Sequence, residues 1–233
     1  MRIRAIFSSL NKIERLIWLC SVAAIMISFV ISGGGDVLTL IASIIGATAL
    51  IFVSKGMVIG QVLTVVFAVF YGVISLYFRY YGEMITYLGM TAPIAIATVV
   101  AWIRHPYKQS AEVEVNRVSK KQVAVLGLLA VFVTVVFYLI LKVLGNANLL
   151  FSTISVTTSF IASYLTFLRS EFYGLGYAAN DIVLIILWVL ATLEDVSYLP
   201  MVVCFVVFLI NDLYGFFNWR RMKRRQLADV NAD

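Results

Sequence analysis

The polar residues near the end of the chain are the strongest candidates for binding a ligand. Asn211, Asp212, Tyr214 and Asn218 follow ten apolar residues and precede five cations within six positions. Asn211, Tyr214 and Asn218 share one helix face, because they are spaced three and seven residues apart. A carboxylate in hydrocarbon costs roughly 2.5–3.5 kcal/mol even on the translocon-insertion scale. We therefore expect these groups to face protein or a watery cavity. The alternative is that they only ease the helix into lipid headgroups.

A second group of polar and aromatic residues runs from Tyr177 through Asn180 and Asp181 to Trp188. Asp181 and Trp188 are seven residues apart and thus lie on one helix face. An aromatic ring beside an amide and a carboxylate suits a planar heterocycle with polar edges, and a cationic ring gains further from cation–π contact. The alternative is that Trp188 packs against a neighbouring helix and Asp181 lies at the cytoplasmic interface of the membrane.

Gln61 and Tyr71 belong to a third apolar segment. A buried Gln needs hydrogen-bond partners for its amide, which makes Gln61 a reasonable site candidate. Cys20 and Cys204 each fall inside an apolar run, so we expect neither a disulfide nor a metal site, and no cofactor. The predicted substrate-binding residues are Gln61, Tyr71, Tyr177, Asn180, Asp181, Trp188, Asn211, Asp212, Tyr214 and Asn218.

The composition indicates the elements that must position these residues. The chain of 233 residues is 62% hydrophobic and 13% charged, with a mean hydropathy of +0.99. Apolar runs of about 20 residues span a bilayer, so we predict a single-domain, all-α polytopic membrane protein. The eight predicted spans are Leu16–Ile31, Val37–Val53, Met57–Tyr77, Glu83–Ile103, Gln122–Leu144, Asn148–Leu168, Tyr177–Leu193 and Tyr198–Asn218.

The distribution of positive charge predicts the orientation. With the N-terminus in the cytoplasm, sixteen of the eighteen Lys and Arg residues lie on the cytoplasmic side, and only Arg79 and Lys142 lie outside. This is a strong positive-inside signal. It predicts an even number of spans and two cytoplasmic termini. The cations lie at helix ends, which argues against a nucleic-acid partner. The polar stretch between Arg104 and Gln122 is predicted to be a solvated cytoplasmic loop.

Similar landmarks suggest an internal repeat. The fourth span ends in Trp102-Ile103-Arg104 and the eighth in Trp219-Arg220-Arg221. If residues 37–103 and 148–219 are two three-helix repeats, they run in parallel, and residues 122–144 form a linking helix that restores the direction. The first span is then an extra helix, and residues 220–233 form a basic cytoplasmic tail. Transporters with parallel repeats bind their substrate near the midplane, between the repeats.

Enzyme signatures are absent from the sequence. It contains no phosphate-binding G-x-x-x-x-G-K-[ST] loop, no H-E-x-x-H motif and no Cys/His cluster. We therefore predict that the protein is not an enzyme and has no ATPase of its own. Two isolated acids without a histidine or lysine partner make a weak case for ion-coupled transport.

The segment from Asn211 to Trp219 with its basic tail, together with Asn180-Asp181 and the eight spans, resembles the PnuC family of bacterial vitamin transporters. The resemblance implies a three-plus-one-plus-three helix fold, like that of the SWEET sugar transporters, preceded by an extra helix. It also implies facilitated diffusion of nicotinamide riboside across the bacterial inner membrane, trapping by a cytosolic kinase, and a homo-oligomer.

One region departs from the family pattern. Nicotinamide riboside carriers typically carry a W-x-x-W motif where this chain has Tyr173-Gly174-Leu175-Gly176-Tyr177. Thiamine, riboflavin and deoxynucleosides, which other members of the family carry, therefore stay open as substrates. A membrane sensor or assembly subunit, whose polar residues serve only helix contacts, is the alternative from a different functional class.

Overall fold

The computed structural model describes residues 8–34, 37–77, 81–146 and 148–232. This part of the chain forms eight helices that are long and apolar enough to cross a membrane. The all-α class with eight spans is thereby confirmed. The helices are α1 (Lys12–Ile31), α2 (Val37–Ser54), α3 (Val58–Tyr77), α4 (Tyr81–Arg104), α5 (Lys120–Val143), α6 (Leu149–Phe167), α7 (Tyr173–Glu194) and α8 (Leu199–Ala232).

Most helix ends agree with the predicted spans to within two residues, but α1, α7 and α8 differ. α1 begins at Lys12, four residues before the predicted start at Leu16. α7 begins at Tyr173, four residues before the predicted start at Tyr177. α8 continues through the whole basic segment to Ala232, so the predicted tail is helical. Lys, Arg, Gln, Leu and Ala are good helix formers, and the end of an apolar run does not interrupt their backbone hydrogen bonds.

Six of the helices form two triads. In the first triad α2 packs on α3 and α3 on α4; in the second, α6 packs on α7 and α7 on α8. The most extensive packing between the triads is of α2 on α8 and of α4 on α6. Exchanging the two triads leaves this pattern unchanged. The predicted division into repeats at 37–103 and 148–219 agrees with this symmetry and stays a prediction.

The two remaining helices lie outside the triads. α5 packs on α6, and α1 packs on α2 and α8. α1 starts with a capping box: the Asn11 side chain accepts from the Glu14 amide, and the Glu14 carboxylate accepts from the Asn11 amide. Glu14 also forms a salt bridge with Lys55, with a Nζ–Oε2 distance of 3.0 Å. This pair ties the start of α1 to the end of α2.

Two tryptophans form a symmetric contact at the end of the bundle that carries Lys55, Arg104 and Arg169, which we call the basic end. Trp102 of α4 donates to the Thr166 carbonyl of α6 at 3.1 Å, and Trp219 of α8 donates to the Val53 carbonyl of α2 at 2.9 Å. The two indole rings lie 5.4 Å apart and are 1% and 0% exposed. Each triad thus donates an equivalent indole hydrogen bond to a backbone carbonyl of the other triad. We call Trp102 and Trp219 the indole pair.

Residues 105–119, which we call the strap, cross the basic end. The Val113 amide donates to the Gly56 carbonyl at 2.9 Å, and the Asn116 amide donates to the Arg169 carbonyl at 3.0 Å. The strap therefore bonds to a loop of each triad. The prediction of a solvated loop is wrong for its middle, where Val113 is buried.

The extension of α8 holds the strap in place. Gln226 accepts from the Val115 amide at 2.8 Å and donates to the Val113 carbonyl at 3.1 Å. Tyr107 donates to Asp229 at 2.5 Å, and this hydrogen bond raises the pKa of Tyr107. The basic segment of α8 is therefore a structural element of the basic end.

Candidate functional site

A cavity of about 70 Å³ lies between the two triads. Each of the six triad helices contributes to its wall. Phe67, Phe205 and Phe208 supply apolar surface. The polar lining consists of Gln61, Thr64, Tyr87, Thr91, Ser159, Tyr177, Asn180, Asp181 and Asp212. Ligand sites combine a largely apolar wall with a few converging polar groups, and we call this space the central cavity.

The two aspartates of the central cavity lie side by side. Asp181 comes from α7 and Asp212 from α8, and both line the same cavity. Each residue is only 3% exposed. Their proximity depends on Gly174 of α7, where an added Cβ would lie 2.5 Å from the Asp212 carbonyl oxygen. The close crossing of α7 and α8 therefore builds the acidic part of the site.

Hydrogen bonds from α6 orient the neighbouring polar side chains. The Asn180 amide oxygen accepts from Thr158 at 3.0 Å and from Ser155 at 3.3 Å. This leaves the Asn180 amide nitrogen as the group suited to donate to a ligand. The hydroxyls of Tyr177 and Ser163 lie 2.9 Å apart. The serine-rich face of α6 thus fixes two residues of the central cavity.

An irregular turn in α4 supplies residues that the sequence analysis missed. Tyr87–Thr91 form a π-helical turn, and both end residues line the central cavity. Pro93 has no N–H to donate to the carbonyl four residues earlier, which favours such a turn. Tyr87 packs against Tyr71 and Phe67 at ring distances of 4.4 and 5.9 Å. Pro93 was the signal in the sequence that could have indicated this region.

Five of the ten predicted site residues line the central cavity: Gln61, Tyr177, Asn180, Asp181 and Asp212. Tyr71 is buried behind Tyr87 and supports the aromatic wall. Asn211, Tyr214 and Asn218 share one face of α8, as predicted from their spacing, but this face is directed towards α1 and the end of α2. Substrate contact by these three residues stays a prediction that this geometry does not favour.

The contacts of the three α8 residues show what they stabilise. The Asn211 amide donates to the Ser21 hydroxyl of α1 at 3.0 Å, and Tyr214 donates to Glu14 at 3.2 Å. The Asn218 amide donates to the Ser54 carbonyl at the end of α2 at 2.8 Å. The N-D-x-Y-G-x-x-N-W segment therefore directs Asp212 into the central cavity while its other polar residues bind α1 and α2.

Trp188 lies in a second chamber, of about 250 Å³, towards the end of the bundle opposite the basic end. Its ring is 5.6 Å from that of Tyr198, and Glu83 lines the same chamber. A smaller cavity lined by Glu83, Tyr87 and Asn180 lies between this chamber and the central cavity. These three spaces share lining residues, so they form a series from the opposite end to the centre.

On the other side of the central cavity, aromatic side chains fill the interior. The ring of Tyr173 is 4.9 Å from that of Trp219, which in turn packs against Trp102. All three residues are fully buried. The central cavity is therefore connected towards the opposite end and closed at the basic end.

Comparison with known proteins identifies the family. Residues 36–221 match the family described as nicotinamide mononucleotide transporter. The chain belongs to this family. The nicotinamide riboside transporter PnuC of Neisseria mucosa is 25% identical over 227 residues, which cover 95% of this chain and 86% of the relative. The resemblance to the PnuC family is thus confirmed, and so is the expectation of a multi-pass membrane transporter and not an enzyme.

A solved structure supports the same fold. The crystal structure of the vitamin B3 transporter PnuC superimposes with a TM-score of 0.82 at 24% sequence identity, covering 96% of this chain and 97% of that protein. At this identity the superposition establishes the shared helical architecture.

Proposed function

We propose that the chain imports nicotinamide riboside, or a related nucleoside-like vitamin, by facilitated diffusion. The observation that carries this proposal is the central cavity, where amide, carboxyl and aromatic side chains from both triads converge. A planar base can pack on the aromatic wall while its polar edge and its ribose bond to the amides and carboxyls. The names of the relatives support the same class of substrate.

The lining favours the nucleoside over its 5′-phosphate. Sites for phosphate groups use Arg, Lys or the N-termini of helices. No Lys, Arg or His from the described part of the chain lines the central cavity, whereas Asp181 and Asp212 do. A phosphate would face these carboxyls without a positive partner. The pyridinium ring of nicotinamide riboside carries a positive charge, which suits this lining.

We propose that the protein lies in the bacterial inner membrane with both termini in the cytoplasm. The positive-inside distribution of Lys and Arg supports this orientation. The basic end then faces the cytoplasm, and the chamber with Trp188 faces outward. A cytosolic kinase that phosphorylates the imported nucleoside would trap it, as a functional partner. The homo-oligomer implied by the family resemblance remains part of this proposal.

Thiamine, riboflavin and deoxynucleosides are the alternative substrates. The specific observation in their favour is Tyr177, which lines the central cavity in the region where the W-x-x-W motif is missing. The non-transporting alternative is a sensor or assembly subunit.

Transport into loaded vesicles tests the proposal. Proteoliposomes containing a nucleoside kinase and ATP are supplied with labelled nicotinamide riboside, and parallel samples receive thiamine, riboflavin or deoxynucleosides. We expect accumulation of nicotinamide riboside beyond that of vesicles without protein, unchanged when proton and sodium gradients are collapsed. Accumulation of one of the other compounds instead would reassign the substrate. A saturable ligand-induced thermal shift without any uptake would favour the sensor.

A further inference from the structure

We propose that Arg220 and Arg224 of α8 bind the phosphate group of an anionic phospholipid in the leaflet at the basic end. Both side chains are exposed on the outer face of the helix. The proposal concerns the contact between the protein and the membrane, so it does not depend on which substrate is carried. We call Arg220 and Arg224 the arginine pair.

The outer face of α8 changes from apolar to cationic along a single stripe. Four large apolar residues are exposed on it: Val206, Ile210, Leu213 and Phe217. They follow one another at steps of three and four residues, which keeps them on one side of the helix. The arginine pair continues the same steps. Because an exposed apolar stripe on a membrane-spanning helix contacts acyl chains, the arginine pair lies where those chains end.

The length of the stripe matches one leaflet. Ile210 precedes Arg220 by ten residues, which correspond to about 15 Å of helix at 1.5 Å per residue. The hydrocarbon core of a bilayer is about 30 Å thick, so each leaflet contributes about 15 Å. A phospholipid whose acyl chains lie along this stripe therefore places its phosphate group at the level of the arginine pair.

The cations on the two flanks of the stripe already have acidic partners. Lys223 forms a salt bridge with Glu171, and Arg225 forms one with Glu112. Within the part of the chain that the structure describes, no carboxylate forms an ion pair with either member of the arginine pair. A guanidinium group binds phosphate through two parallel N–H donors. The arginine pair is therefore the part of the basic segment that is open to a phosphate group.

Aromatic rings hold one of the two arginines beside the acyl-chain stripe. The guanidinium carbon of Arg220 lies 5.5 Å from the centre of the Phe216 ring. This ring is 5.3 Å from that of Phe217 and 6.2 Å from that of Phe172, which is 51% exposed. A cation over an aromatic ring is attracted to it. The contact restrains the Arg220 side chain, which reduces the entropy that is lost when a phosphate group binds.

Native mass spectrometry of the purified full-length protein tests the proposal. The protein in detergent is titrated with phosphatidylglycerol, which is anionic, and in parallel with phosphatidylcholine, which has no net charge. Each basic residue at an anionic lipid surface contributes about fivefold in affinity. We therefore expect phosphatidylglycerol to bind roughly ten- to thirtyfold more tightly than phosphatidylcholine. Equal affinities for the two lipids would overturn the proposal.

Two double variants separate a defined site from a general effect of charge. Arg220→Gln/Arg224→Gln should lower the affinity for phosphatidylglycerol roughly ten- to thirtyfold, to that for phosphatidylcholine. Lys120→Gln/Lys121→Gln is the matched control, because it removes two exposed cations from the start of α5 next to the strap. The control should change the affinity less than about twofold. Equal losses in the two variants would show a diffuse effect of charge and contradict the site.

Other occupants of the stripe give different results. Glycerophosphoglycerol carries the same phosphate group without acyl chains and should not displace the lipid. Displacement would reassign the arginine pair to a soluble phosphate compound, and a lipid-free oligomer would reassign the stripe to a second copy of the chain. Either result would overturn the lipid site and leave the proposed import untouched. Thermal unfolding checks the variants, and the wild-type comparison of the two lipids stands even where a variant does not fold.

Discussion

Two buried asparagines of neighbouring helices show how position decides the role of a side chain. Asn180 lines the central cavity, and two hydroxyl groups of α6 donate hydrogen bonds to its amide oxygen. Asn211 lies on the opposite face of the polar segment in α8 and binds Ser21 of α1. Both are amides in a membrane-spanning helix. Of the two, Asn180 is the one that lies in the cavity where we propose that the ligand binds.

We therefore expect Asn180→Ala and Asn211→Ala to affect different measurements. Asn180→Ala removes a donor to the ligand, and leaving a polar partner unpaired costs about 1–3 kcal/mol, which weakens binding roughly five- to 150-fold. Asn211→Ala should lower the free energy of unfolding by a similar amount, because Ser21 loses its partner, while the affinity of the folded protein stays the same. Calorimetry and thermal unfolding of both variants check this pair.

The opposite result, in which Asn211→Ala weakens binding and Asn180→Ala does not, would indicate that the ligand binds on the other face of α8. If Asn211→Ala weakened binding in a fully stable protein, its predicted role in the substrate site would hold, and the assignment of the central cavity would be wrong.

The sequence predicts which residues are polar within the membrane, but not what each of them faces. The spacing of Asn211, Tyr214 and Asn218 correctly places them on one helix face. Spacing alone does not reveal that Glu14 and Ser21 of α1 supply partners for that face, because those contacts join residues about 190 to 200 positions apart. Asp212 reaches the central cavity because it lies off this face.

At the scale of elements, the crossing of α7 and α8 depends on two glycines. An added Cβ at Gly174 would lie 2.5 Å from the Asp212 carbonyl oxygen and 2.8 Å from the Phe216 amide nitrogen. At Gly215 it would lie 2.4 Å from the Tyr173 hydroxyl. The backbone atoms near Gly174 cannot move aside without shifting a helix. The position of Asp181 and Asp212 on one wall of the central cavity depends on this approach.

Gly174→Ala should therefore destabilise the protein and disturb the ligand site together. Overpacking of this kind costs typically 1–3 kcal/mol, and pushing the helices apart also separates Asp181 from Asp212. Gly127→Ala in α5 is the matched control, since nothing lies within 4 Å of its added Cβ. Removing that glycine from a helix interior should stabilise the protein by roughly 0.5–1 kcal/mol. Thermal unfolding and ligand titration of both variants provide the measurement. Equal changes in stability and in affinity for the two variants would contradict the close crossing of α7 and α8.

Helices are the part of this fold that hydropathy predicts well, and their irregularities are the part it misses. For seven of the eight predicted spans, both ends lie within four residues of the observed helix ends, because a bilayer fixes the length of an apolar helix. The π-helical turn at Tyr87–Thr91 depends on Pro93 within its packed surroundings. Hydropathy also does not predict the position of the strap, because backbone atoms make most of its hydrogen bonds.

At the scale of the whole molecule, the import that we propose requires a ligand in the central cavity to leave through the basic end. The indole pair closes that end with two equivalent hydrogen bonds, each joining one triad to the other. The strap adds bonds from residues 113 and 116 to a loop of each triad. Opening the basic end therefore means moving the two triads apart. The free-energy cost of this opening is shared by equivalent contacts of the two triads.

This symmetry predicts that Trp102→Phe and Trp219→Phe have the same effect. Each change keeps an aromatic ring but leaves a carbonyl, of Thr166 or of Val53, without its indole donor. Each carbonyl still accepts a backbone N–H, from Arg169 or from Gly56. A loss of about 0.5–1.5 kcal/mol from the closed conformation should therefore raise the population open at the basic end roughly two- to tenfold. Trp18→Phe is the matched control, because Trp18 bonds to Thr48 between α1 and α2 and does not join the triads.

Spin labels on the two triads measure this opening. Ile103, at the end of α4, and Phe172, before α7, are exposed at the basic end and accept labels as cysteines in a chain whose exposed Cys20 is replaced by serine. We expect the fraction of long distances between the labels to rise equally in Trp102→Phe and Trp219→Phe and to stay at the wild-type value in Trp18→Phe. An increase in only one of the two variants would show that one triad carries the closure, and no increase in either would place the barrier in the strap.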